Sequence, residues 1–132
     1  MNTLIISSSL SKTSRSFILC NQIHLLLQDK NINTELVDAR EMELLPFHKG
    51  STPSMEELTE KIAKADNIIF GMGVHCYSVN DGLKIILDGC CEQTEGKFFG
   101  IVLLVAKPFI SLAILIEAST VLANFLSPSL GL

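Results

Sequence analysis

The chain has 132 residues, 48% hydrophobic and 6% aromatic, and a formal net charge of −4. That length closes one hydrophobic core, so residues 1–132 are read as a single domain. The acidic balance offers no general field for a phosphodiester polymer: nucleic acid is excluded as the expected partner, and any anion must be held by local geometry.

Residues 3–7 predict a buried strand. From about residue 14 to residue 30, Phe17, Cys20, Ile23/His24 and Leu27 recur at helical spacing, with Ser14 as N-cap. Residues 34–37 predict a second strand, and residues 38–50, interrupted by Pro46, a surface loop. Ser54-Met55-Glu56-Glu57 reads as a capping box, after which Met55, Leu58, Ile62 and Ala65 share one helical face up to Asp66. Residues 67–72 predict a third strand, residues 73–80 a loop, and residues 81–90 a third helix with Leu83, Ile86, Leu87 and Cys90 inward. A fourth, wholly apolar strand is expected over residues 98–106 and a fourth helix over residues 111–125. The apolar stretch 98–126 raises the question of a membrane span. Lys107-Pro108 divides it into runs below the roughly 20 residues a spanning helix needs, and Glu117 lies in the second, so no membrane partner is expected.

The alternation of strand and helix predicts an α/β fold: an open parallel sheet covered on both faces, joined by right-handed crossovers. In such sheets ligands bind beyond the carboxyl ends of the strands. This brings residues 7–16, 73–80 and 107–111 together.

Cys20, Cys76, Cys90 and Cys91 include an adjacent pair and no C-x-x-C, which suits neither a disulfide framework nor zinc. His24, His48 and His75 share no ligand spacing, and no metal is expected. A reducing compartment follows; without a basic n-region or an A-x-A cleavage site near the start, the cytoplasm is the expectation.

The first loop concentrates donors at a strand-to-helix junction. Backbone amides, the start of the helix and the hydroxyls of Ser9, Ser11, Thr13, Ser14 and Ser16 can converge on one anion, with Lys12 or Arg15 adding charge. The competing reading is a Ser-rich N-cap that merely starts a helix, although capping needs only one or two hydroxyls. There is no G-x-G-x-x-G, no G-x-x-x-x-G-K-[ST], no thiol-phosphatase loop and no acidic pair after strand one. A mononucleotide with a terminal phosphate remains. In the second loop, Gly71 and Gly73 admit a flat ring, and Val74, His75, Cys76, Tyr77 and Ser78 offer faces and edges to it. An ordinary βα loop with a surface Tyr explains the same residues.

Together the two loops resemble the NADPH-dependent FMN reductase family of flavodoxin-like proteins. The first family loop, roughly G-S-x-R-x-x-S-x-[NS], is matched at Ser9, Ser14 and Ser16. The second, roughly P-x-Y-x-x-S-x-x-G-x-L-K-x-x-[IL]-D, is matched at Ser78, Leu83, Lys84 and Asp88. The resemblance runs from residue 3 to about residue 126. It implies a flavodoxin-like sandwich with strand order 2-1-3-4, FMN as cofactor and NADPH as co-substrate. Ser9, Ser14 and Ser16 would hold the phosphate, and the segment from His75 to Ser78 would line the isoalloxazine. Hydride would pass through the flavin to a flavin, quinone or azo acceptor; no side chain is expected as nucleophile, and no catalytic residue is assigned.

The departures are specific. The family's loop Arg falls at Ser11, its Pro at Gly73 and its Tyr at His75. A Gly-rich third loop is replaced by Lys107-Pro108-Phe109-Ile110. The usual fifth strand is missing or incomplete, which leaves strand four as an apolar edge and predicts a homo-oligomer. The alternative from another class is a non-enzymatic flavodoxin-fold subunit that binds a protein through that edge.

Overall fold

The computed structural model describes residues 1–104; the expected fourth helix and third loop lie outside them. Four strands, β1 (Asn2–Ser7), β2 (Asn33–Asp38), β3 (Asn67–Gly73) and β4 (Phe98–Leu104), alternate with three helices, α1 (Arg15–Asp29), α2 (Pro53–Lys64) and α3 (Asp81–Cys90). The strands form one parallel sheet in the order β2-β1-β3-β4. Ile5 is the centre of the register, beside Leu36 on one flank and Ile69 on the other. The expected α/β architecture and strand order are those observed.

Although β1 and β3 read as nearly continuous apolar runs, their side chains divide by the two-residue period of a strand. Leu4, Ile6, Ile68, Phe70 and Met72 pack with Met55, Leu58 and Ile62 of α2 and Leu83, Ile86 and Cys90 of α3. Ile5 and Ile69 face the other way, onto Cys20 and Leu27 of α1. Each fully buried aliphatic side chain contributes roughly 1.5–3 kcal/mol relative to exposure. These two layers therefore set the positions of the strand ends.

Local differences have local causes. The N-cap of α2 is Thr52, not the expected Ser54. Thr52 Oγ1 accepts from Met55 N at 3.2 Å and donates to the Glu43 carbonyl at 2.6 Å, and Pro53 occupies the first helical position. Ser54 Oγ turns to the Glu43 backbone, and Glu57, the would-be partner in a capping box, pairs with Lys61 at 2.7 Å. On α3, Leu87 is exposed rather than inward, because Leu83, Ile86 and Cys90 already fill the face toward the sheet. Residues 38–50 contain two single 3-10 turns, at Ala39–Glu41 and Phe47–Lys49. His24 Nδ1 shares a 2.8 Å hydrogen bond with Thr34 Oγ1, a satisfied histidine of the α1–β2 contact. No helix among the described residues is long and apolar enough to cross a membrane.

Candidate functional site

At the carboxyl end of β1 the chain is pinned before it turns. Ser8 N and Ser8 Oγ both donate to the Gly71 carbonyl at 2.9 Å, and Ser8 Oγ lies 3.1 Å from Asn80 Oδ1. Asn80 Oδ1 also accepts from Leu83 N at 3.0 Å as the N-cap of α3. A Cβ at Gly82 would collide with the Ser8 carbonyl oxygen, so glycine is what permits α3 to begin against the first loop. The ends of β1 and β3 and the start of α3 thus form one corner. Neither Ser8 nor Asn80 was singled out from the sequence, since the bond between them spans 72 residues. An Asn just before a predicted helix was the available signal.

Beyond the corner the first loop divides. Ser9, Ser14 and Ser16 are buried, whereas Ser11, Lys12, Thr13 and Arg15 are exposed. Ser14 is the N-cap of α1: its Oγ accepts from Phe17 N at 3.1 Å and shares a 3.0 Å hydrogen bond with Ser16 Oγ. Ser9 Oγ accepts from Ser11 N at 3.4 Å. The amides of Thr13, Arg15 and Ser16 have no acceptor among the described residues. The last two are among the donors a helix start leaves open. Capping therefore accounts for Ser14 but not for buried Ser9 and Ser16.

A cation absent from the sequence reading completes this edge. Arg40, in the turn after β2, donates from Nε to both Asp38 oxygens at 2.9 Å and from Nη2 to Asp38 Oδ2. Its Nη1 donates to the Lys12 carbonyl at 3.3 Å, and the guanidinium carbon lies 4.3 Å from the centre of the Phe17 ring. Asp38 beside it raises the already high pKa of the guanidinium. Arg40 is a charged residue at the carboxyl end of a parallel strand, which was the signal that could have found it.

The second loop is a tight hairpin. His75 N donates to the Ser78 carbonyl at 3.1 Å and Ser78 N to the His75 carbonyl at 2.9 Å, with Cys76 and Tyr77 at φ 48° and 62°. Those values fit a type I′ turn, in which both central residues take the left-handed conformation usually left to Asn and Gly. Tyr77 is 96% exposed, and Cys76 and Ser78 are exposed with it. Gly73 and Val74 are half-buried, and Val74 N extends the sheet by donating to the Leu104 carbonyl at 3.1 Å. Gly71 does not serve approach to a ring: a Cβ there would overlap Cys20 Sγ, so its bare Cα is filled from the α1 side. Burial pushes the Cys20 thiol up to about 12, with the Ser7 hydroxyl acting in the opposite direction. This cysteine is packing, not a nucleophile. No hydrogen bond among the described residues joins residues 75–78 to residues 9–16.

Cavities of about 240 and 510 Å³ open at the opposite, amino ends of the strands. The first is lined by Asn2, Thr34 and Lys61, but Lys61 is already engaged by Glu35 at 2.8 Å and Glu57 at 2.7 Å. The open amides and buried hydroxyls lie at the carboxyl end, which is where we place the site.

The sequence model of the NADPH-dependent FMN reductase family matches residues 1–129. The chain belongs to that family. The family is described by the NADPH-dependent reduction of FMN. No curated protein matches the chain by sequence. Among solved structures, an apo NADH:FMN oxidoreductase superposes with a TM-score of 0.69 at 18% identity, covering 92% of this chain and 67% of that one. RosB with a bound 8-demethyl-8-formylriboflavin-5'-phosphate intermediate gives 0.68 at 15% identity, covering 94% and 59%. A quinone reductase, so described, from Klebsiella pneumoniae gives 0.66 at 16% identity, covering 80% and 59%. At these identities the superpositions establish the flavodoxin-like fold. The chain spans between 59% and 67% of the lengths of these three proteins.

Proposed function

We propose that this chain binds FMN at the carboxyl end of the sheet and passes hydride from NAD(P)H through the flavin to a small acceptor: free flavin, a quinone or an azo compound. The carrying observation is the start of α1, where the amides of Arg15 and Ser16 lack acceptors among the described residues and buried Ser9 and Ser16 exceed what capping requires. Those groups suit a phosphate: open amides at a positive helix end, hydroxyls that can donate, and exposed Lys12 and Arg15 at the mouth. When bound, the flavin supplies the two-electron chemistry itself. The protein's share is to hold the phosphate by Ser9, Ser11, Ser14, Ser16 and the loop amides, and to present Gly73, Val74, His75, Cys76, Tyr77 and Ser78 to the ring. Exposed Tyr77 offers an aromatic face for ring or nicotinamide contact.

Flavin titration of the intact chain tests this. Micromolar or tighter FMN binding is expected, weakened roughly tenfold or more when Ser9 and Ser16 are both changed to Ala, since a hydrogen bond to a charged group contributes about 1.5–3 kcal/mol. Equal binding by both proteins removes the phosphate assignment. NADPH-dependent bleaching of bound flavin separates a reductase from a flavin carrier that only accepts electrons from another protein.

A homo-oligomer forms part of the proposal. β4 is one of the two sheet edges among the described residues, and Phe98 and Ile101, on its two faces, are 70% and 54% exposed. An apolar edge strand of this kind is stabilised by cover.

A further inference from the structure

We propose that Arg40 is a positioning residue for the anion loop: together with Asp38 it fixes residues 12–17 in the conformation that receives a phosphate. The inference rests on the flavin-binding reading above and adds a residue from outside the two loops on which that reading stands. The guanidinium is held first by its own neighbour, through Nε to both Asp38 oxygens and Nη2 to Oδ2. So anchored, it takes hold of the loop at two places. Nη1 reaches the Lys12 carbonyl at 3.3 Å, and the cationic face covers the Phe17 ring at 4.3 Å.

Both contacts bear on the open donors. Within one planar trans peptide the C=O and N–H point in opposite directions. Binding the Lys12 carbonyl therefore turns the Thr13 amide away from Arg40, and that amide has no acceptor among the described residues. Phe17 is the residue whose amide bonds the Ser14 cap at 3.1 Å, so holding its ring steadies the first turn of α1 and with it the amides of Arg15 and Ser16. The clamp thus grips the segment near each end, on either side of its open donors.

The geometry also says how Arg40 does not act. Asp38 meets the guanidinium with both oxygens, so the pair carries little net charge toward a ligand. A direct cation for the phosphate would gain from losing Asp38, whereas a clamp would lose its anchor. The two roles predict opposite signs for the same substitution.

The experiment compares the intact wild-type chain with Arg40→Ala, Arg40→Lys and Asp38→Asn. FMN and riboflavin, which lacks the phosphate, are titrated in parallel, and amide hydrogen exchange is followed in the flavin-free proteins. Expected are a roughly tenfold or greater loss of FMN affinity in Arg40→Ala and in Asp38→Asn, little change for riboflavin, and poor rescue by lysine, whose ammonium lacks the planar fork. Exchange at the Phe17 amide, which the Ser14 cap holds, and in the turn of α1 that follows should quicken while β3, the control for an intact fold, keeps its protection. Tighter FMN binding in Asp38→Asn, or unchanged affinity and exchange in Arg40→Ala, overturns the clamp while leaving the flavin site standing. A wild-type chain that binds neither flavin removes the functional reading and this inference with it.

Discussion

The tightest side-chain fit at the site's foundation is between Cys20 and Gly71. The sulfur of a buried helix residue occupies the space where any other residue of β3 would carry its Cβ. Gly71→Ala should therefore destabilise the fold by about 1–3 kcal/mol through overpacking, and Cys20→Ala in the same chain should recover part of it. Urea unfolding of the two single variants and the double variant measures the coupling; purely additive losses would show that the sulfur is not the obstacle. At this scale the sequence was readable where a residue acts on its neighbours. Ser14 three residues before Phe17 marked the cap of α1. Arg40, which meets the Lys12 carbonyl across 28 residues, was not readable, because no local pattern records a contact made by folding.

Element boundaries followed the same logic. The third helix lies where its periodicity placed it, over Asp81–Cys90, and the first is capped as expected. The start of α2 was misplaced because two hydroxyls, Thr52 and Ser54, stand two residues apart, and only the Glu43 backbone beside them decides which one faces the helix. Thr52→Ala should cost about 1 kcal/mol, while Ser54→Ala, which removes no cap, should cost distinctly less. Thermal unfolding of the two variants ranks them, and a larger loss for Ser54→Ala would restore the capping box read from sequence. The hairpin at residues 75–78 had no turn signature either. Cys76 and Tyr77 hold φ values of 48° and 62° without the Asn-Gly pair that normally announces them.

Across the whole molecule the open parallel sheet was legible in the alternation of strands and helices with right-handed crossovers, whereas its order, β2-β1-β3-β4, came from the family resemblance. What surrounds the sheet's edge was less so. Ile101 shares the α2–α3 face of the sheet with its register partner Phe70, yet is 54% exposed, whereas Phe70 is buried. If copies of the chain cover that edge, Ile101→Lys should shift the sedimentation of the protein toward the monomer. An unchanged profile would argue that association, where it occurs, uses another surface.

The absence of a Cβ at Gly82 reaches further than its own turn. With α3 seated on the Ser8 carbonyl and Asn80 tied to the Ser8 hydroxyl, the two loops start from one shared corner. On the flavin reading proposed above, that corner would serve as a gauge, sorting guests by the span between an anionic tail and a flat head.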